Sequence, residues 1–167
     1  MVALLAAFVC ATNSAGAEKS VEGVLEEINR LPSAERQRRL VEGAKKEGEV
    51  VWYSTMNREN SFEVSQAFEK EHPYVRVKIL SGGAVKTMSR IDSEYRAKSY
   101  LFDVTHIRGL FLPALIKSGI IIRYRTPLRE TLRKDFLDND GYFNGIFTHG
   151  NPFILNKNLV KAADHPK

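Results

Sequence analysis

Between residues 50 and 122 the chain alternates two kinds of hydrophobic spacing, and that alternation restricts the folds open to it. Val50-Val51-Trp52-Tyr53 is a short apolar run of strand type. Val75, Val77 and Ile79 then alternate with Arg76 and Lys78, the two-residue period of a strand. Residues 101–104 form a third such run and Ile120-Ile121-Ile122 a fourth. Helical patterns lie between them. Asn60-Ser61-Phe62-Glu63 resembles a capping box and opens a helix to about Glu71, closed by Pro73. Ala84, Met88, Ile91 and Tyr95 mark the stripe of another helix, and residues 110–118 form a third, stopped by Gly119. Strands alternating with helices of roughly ten to fifteen residues describe βαβ units and a mainly parallel sheet. Right-handed crossovers place the helices on both faces. The expected fold class is α/β.

A helical segment precedes this pattern. Val21, Val24, Leu25, Ile28 and Leu31 follow a three-four spacing, Pro32 interrupts it, and Ser33-Ala34-Glu35-Arg36 restarts it. Lys45-Lys46-Glu47-Gly48 ends it with cations near the helix C-terminus and a glycine stop. Before that, residues 2–9 are wholly apolar and Ala15-Gly16-Ala17 supplies an A-x-A site before Glu18. This pattern describes a cleavable secretory signal peptide, although no Lys or Arg precedes the apolar run. An upstream start or a frayed apolar terminus are the alternatives. Cys10 is the only cysteine, and Phe8 and Val9 are too large for the small residues a lipoprotein site prefers.

Composition narrows the function classes. A chain of 167 residues with 43 % hydrophobic and 27 % charged residues is globular. One cysteine excludes a disulfide framework and a Cys-rich zinc site. Elsewhere no run approaches the ~18 apolar residues of a membrane span. A net charge of +5 permits anionic partners without demanding them. Arg123, Arg125, Arg129, Arg133 and Lys134 gather in one stretch around Tyr124. It is read as a solvated face, with contact to RNA or a membrane surface as the alternative.

Three strand-end loops carry the candidate binding residues, because ligands of open parallel sheets sit beyond the carboxyl ends of the strands. The first loop offers Ser54, Thr55, Asn57 and Arg58. The second offers Ser81, Gly82 and Gly83, with Lys86 and Thr87 in the next helical turn. The third offers His106 and Arg108. Hydroxyls, glycine amides at a helix start and three cations suit an anion; plain turn and capping chemistry is the competing account. The glycine loop is not a nucleotide motif, since Val85 precedes Lys86 where a Walker loop has Gly, and G-x-G-x-x-G and G-x-S-x-G are absent. His72, His106, His149 and His165 lack metal-ligand spacing, and Asp135, Asp138 and Asp140 lack the rest of a calcium loop. No catalytic set is recognisable, so no enzyme, metal or cofactor is expected.

The stretch from Ala44 to Ser54, AKKEGEVVWYS, resembles the opening of the periplasmic solute-binding proteins of ABC transporters, in the iron(III)-binding branch. The resemblance continues through Ala67-Phe68-Glu69-Lys70-Glu71-His72-Pro73, Phe102-Asp103-Val104, Leu115-Ile116-Lys117-Ser118-Gly119 and Ile154-Leu155-Asn156-Lys157-Asn158-Leu159-Val160. It implies the first lobe of a two-lobed receptor, with the second lobe largely missing and the chain truncated. It also implies periplasmic localisation and delivery of a small solute to an inner-membrane ABC permease. The implied division is a signal peptide at 1–17, a helical segment at 18–48 and an α/β ligand-binding lobe at 49–167. The paired tyrosines of the iron-binding members fall in the missing part. Asn57 stands where they place a histidine and Arg108 where they place a glutamate. Exchanging a carboxylate for a guanidinium argues against bare ferric ion and for an anionic solute or ferric chelate. The alternatives are a basic α/β domain binding nucleic acid and an α/β enzyme with an unrecognised site. With export, neither nucleic acid nor stable membrane insertion is expected among the partners.

Overall fold

Capping and a single proline set the first two helices. Ser20 Oγ accepts from the Gly23 amide at 3.2 Å and opens α1, Val21–Arg30. Pro32 then stands at the N-cap of α2, Ser33–Glu47, and Arg36 reaches back to the Leu31 carbonyl at 3.4 Å. Gly48, at φ 70°, closes α2 in the left-handed conformation, and its amide donates to Ala44 O at 2.8 Å. The computed structural model describes residues 20–148, 150, 154–156, 158–161 and 164. The apolar leader with its Ala15-Gly16-Ala17 site, together with Cys10, His149, Phe153, Lys157 and His165, lies outside the described residues.

The sheet follows directly. β1 (Glu49–Ser54), β2 (Arg76–Ser81) and β3 (Val104–His106) form three parallel strands in the order β2-β1-β3. Between the strands lie α3, Arg58–Glu71, and α4, Ala84–Arg96; α5, Leu112–Lys117, follows β3. The mixed α/β class with a parallel sheet and flanking helices is as the sequence pattern implies. Successive strand residues point to opposite faces, and β1 shows which helix covers which. The Tyr53 hydroxyl bonds Glu94 and Arg90 of α4, whereas Ser54 Oγ lies 2.9 Å from Ser61 Oγ of α3. The two helices therefore cover opposite faces.

Tyr53, Ile91 and Leu115 are the buried centre on the α4 side, and Phe102, Leu80 and Met88 pack against them. Phe102 stacks on the Tyr53 ring with centroids 5.1 Å apart. Burying a side chain such as Ile91 or Leu115 is worth roughly 1.5–3 kcal/mol over leaving it exposed.

Several boundaries differ from the sequence pattern. The cap of α3 is Asn57, whose Oδ1 accepts from the Asn60 amide at 2.8 Å, so the helix starts at Arg58 instead of after Asn60. The third strand lies at Val104–His106 and not at 101–104. Phe102 is turned onto Tyr53, and Asp103 accepts from Val51 N through Oδ2 at 2.7 Å. Ladder pairing with Trp52, Tyr53 and Ser54 begins only at Val104. Residues 110–118 divide into a 3-10 turn, Gly109–Phe111, and α5, with Pro113 in its first turn. Ile120-Ile121-Ile122 is not a strand. Gly119, at φ 67°, reverses the chain and Ile120 and Ile121 pack onto the buried centre.

The chain divides into two compact units, Met1–Tyr124 and Arg125–Lys167. In the second, 3-10 turns span Pro127–Thr131 and Lys134–Phe136, and one antiparallel bridge joins Leu137 to Asn144. Between residues 142 and 148 only Asn144 pairs, through that bridge.

Candidate functional site at the strand ends

The parallel register places the last residue of each strand in a single row. Ser54 pairs with Ser81 on one side and with His106 on the other. Adjacent strands lie about 4.8 Å apart, so the three following loops leave the sheet side by side. Hydrogen bonds continue the row beyond the strands. Thr55 N donates to His106 O at 3.0 Å and Gly82 N to Ser54 O at 3.0 Å. Ser81 Oγ donates to Met56 O at 3.1 Å, tying the second loop to the first. Thr55 Oγ1 lies 3.4 Å from His106 Nδ1. After β1 the chain enters α3 on one face, and after β3 it enters α5, whose Leu115 packs on the other. The gap between the ends of β1 and β3 is thus a topological switch point, where open α/β sheets bind ligands.

The candidate residues take different positions. Ser54 is fully enclosed, and its hydroxyl is occupied by Ser61 and by the Met56 amide at 3.2 Å. It holds the loop. Asn57 is exposed and uses its side-chain carbonyl as the α3 cap. Arg58 is the first residue of α3, Lys86 the third of α4, and Arg108 precedes the 3-10 turn. All three are exposed and make no ion pair among the described residues. Gly83 is the N-cap of α4, with no side-chain cap bond. Thr55, Gly82 and His106 are half-buried at the row itself, and Ser81 is exposed.

Thr87, which the sequence places with Lys86 in the turn after the glycine pair, is the enclosed member of the second loop. It is 4 % exposed, and its Oγ1 lies 3.5 Å from where a Cβ on Gly82 would stand.

Tyr53 anchors the row from beneath. Its hydroxyl donates to the Glu94 carboxylate at 2.9 Å and accepts from Arg90 Nε at 3.1 Å. Burial pushes the phenol pKa upward, the bond to Glu94 pushes the same way, and Arg90 opposes. The Arg90 guanidinium also lies over the Tyr53 ring, 5.2 Å from its centroid. Thr105, in register with Tyr53, has a buried Oγ1 without a hydrogen-bond partner among the described residues.

Other candidate features separate from this edge. Among the described residues, no group of three or more His, Cys, Asp or Glu could hold a metal ion, and no helix is long and apolar enough to cross a membrane. A shallow depression on α1 is lined by Gly23, Glu26, Glu27, Arg30 and Leu31 and includes no strand-end residue. In the second unit the basic run stays at the surface, with only Arg129 half-buried, but it is bonded within that unit. Arg125 donates to Asn139 O at 3.0 Å, Arg129 to Asp138 O at 2.6 Å, and Arg133 pairs with Asp135 at 2.6 Å.

No family model matches the chain, and no curated protein matches it. Among solved structures, iron-bound HitA from Pseudomonas aeruginosa is similar, with a TM-score of 0.48 and 18 % identity. The match covers 56 % of this chain and 30 % of that one, so the chain spans less than a third of the length of that structure.

Proposed function

We propose that this chain is the first lobe of an extracytoplasmic solute-binding protein serving an ABC importer, and that its solute is anionic. The observation that carries the reading is the row Ser81–Ser54–His106, from which three polar loops leave the sheet together at a switch point. Arg58, Lys86 and Arg108 give each loop a cation not used in an ion pair among the described residues. The ordered resemblance over residues 44–160 supports the same reading. A carboxylate, a phosphonate or a negatively charged ferric chelate fits this edge better than a bare cation, because guanidinium groups repel cations and grip oxyanions through two parallel hydrogen bonds. Periplasmic localisation, a permease in the inner membrane as partner, and the absence of catalysis belong to this proposal. The nucleic-acid alternative loses ground because Arg125, Arg129 and Arg133 are engaged within their own unit.

Calorimetry on the full chain tests the reading, with carboxylates, phosphonates and ferric citrate set against neutral sugars and amines. An anion is the expected ligand, and Arg58→Ala and Arg108→Ala are each expected to weaken it by about tenfold or more, as for loss of a charged hydrogen-bond partner. Preference for a sugar or an amine, or affinity unchanged in both variants, overturns the proposal.

A further inference from the structure

We infer that the N-terminus of α4 is an oxyanion subsite in which Thr87 is the buried donor. The inference rests on the solute-binding reading and assigns the subsite within it. Helix α4 runs for 13 residues from Ala84, and the first amide bonded to a carbonyl at its start is that of Thr87, to Gly83 O at 3.0 Å. The amides of Ala84, Val85 and Lys86 are the orphan donors of the first turn. The N-caps of α1 and α3 are bonded by Ser20 and Asn57, whereas Gly83 supplies no side chain.

The second observation is independent of helix geometry. Thr87 is 4 % exposed, yet no hydrogen bond reaches its hydroxyl among the described residues. A threonine inside a helix ordinarily bonds a carbonyl one turn back or meets water; Thr87 makes no such back-bond, and its residue is nonetheless almost wholly enclosed. The Thr87 hydroxyl instead points toward Gly82, 3.5 Å from its missing Cβ. The absence of a side chain on Gly82 keeps that hydroxyl uncovered at the strand end. An oxygen atom of a bound carboxylate, phosphate or phosphonate would take the Thr87 proton, while the first-turn amides and Lys86 hold the remaining charge.

The test is an amide NMR titration of the full chain with inorganic phosphate in one arm and acetate in the other, at constant ionic strength. Saturable shifts are expected at Gly82, Gly83 and the first turn of α4. The arm with the tighter response distinguishes a tetrahedral from a planar oxyanion. Thr87→Val, which keeps the shape and removes the hydroxyl, is expected to weaken that response by about tenfold, consistent with a hydrogen bond to a charged group. Thr87→Ser is expected to keep it. If Thr87→Val does not fold, Gly82→Ala supplies the reading. Its methyl stands at ordinary contact distance from Oγ1 and covers it, so a weakened response is expected. Wild-type binding undiminished in Thr87→Val, or in Gly82→Ala where that variant is used, overturns the inference. So do shifts confined to the Thr55–Arg58 and His106–Arg108 loops, which leave the solute-binding reading standing. Silence of all three loops to both anions overturns the subsite, and the calorimetric panel then decides the broader reading separately.

Discussion

Tyr53 shows how one side chain joins three parts of this unit. It is 2 % exposed, stacks on Phe102 and shares its hydroxyl between Glu94 and Arg90. Tyr53→Phe removes the donor to Glu94 but leaves the Arg90–Glu94 pair at 2.5 Å in place. A loss of about 1–2 kcal/mol in urea unfolding at pH 8 is expected. The alkaline limb of the stability profile carries a second signature. A free tyrosine ionises near pH ~10, and the folded phenol is held above that by burial and by Glu94. Below that pH both states keep the proton and this contribution is fully present. As pH rises toward the folded pKa only the unfolded chain ionises, so stability falls. Tyr53→Phe is expected to flatten that fall above pH ~10, and an unchanged slope counts against the assignment. The sequence shows Tyr53 as a strand residue, but not its partners. Glu94 and Arg90 lie 41 and 37 residues away, and only the packing of α4 on β1 brings them there.

Two glycines of α2 make opposite predictions for that element. Gly48 ends the helix at φ 70°, a conformation costly for residues with a Cβ. Gly43 lies within the helix, with nothing within 4 Å of a Cβ built on it. Gly48→Ala is expected to destabilise by about 1 kcal/mol and Gly43→Ala to stabilise by about 0.5–1 kcal/mol. Thermal unfolding of the two variants measures both signs, and equal shifts would contradict the helix end. The stop at Gly48 was legible because a glycine followed two lysines. Helices and strands with a clear period, such as α4 and β2, were legible for the same reason: local spacing reports burial directly. The failures came where a tertiary contact took over. Phe102 left the ladder for the Tyr53 ring, and the isoleucines after Gly119 became packing against the core. The capping-box pattern pointed to Asn60, and the bond from the Asn60 amide to Asn57 Oδ1 moves the cap to Asn57.

At the scale of the molecule, the strand-end loops were legible because a parallel sheet puts all its strand ends on one side. Which side chains there remain available was not. Ser54 is consumed by Ser61, whereas the Thr87 hydroxyl faces the bare Gly82. The strand order β2-β1-β3 also governs the time course of assembly. The central strand is the first of the three along the chain, so each later strand must find an edge that already exists. Pairing of β1 with β2 closes a shorter loop than the contact between Val51 and Asp103, which lie 52 residues apart. Shorter closures lose less chain entropy and form earlier. Docking of β3 is therefore expected after the rate-limiting step. In stopped-flow experiments Val75→Ala, at the entrance to β2, should mainly slow refolding. Phe102→Leu, beside β3, should mainly accelerate unfolding. The reverse partition would mean that the distant edge of the sheet is built first. With the expected order, a ribosome-bound chain could complete the β1–α3–β2 unit while β3, and half of the switch-point crevice, has yet to be synthesised.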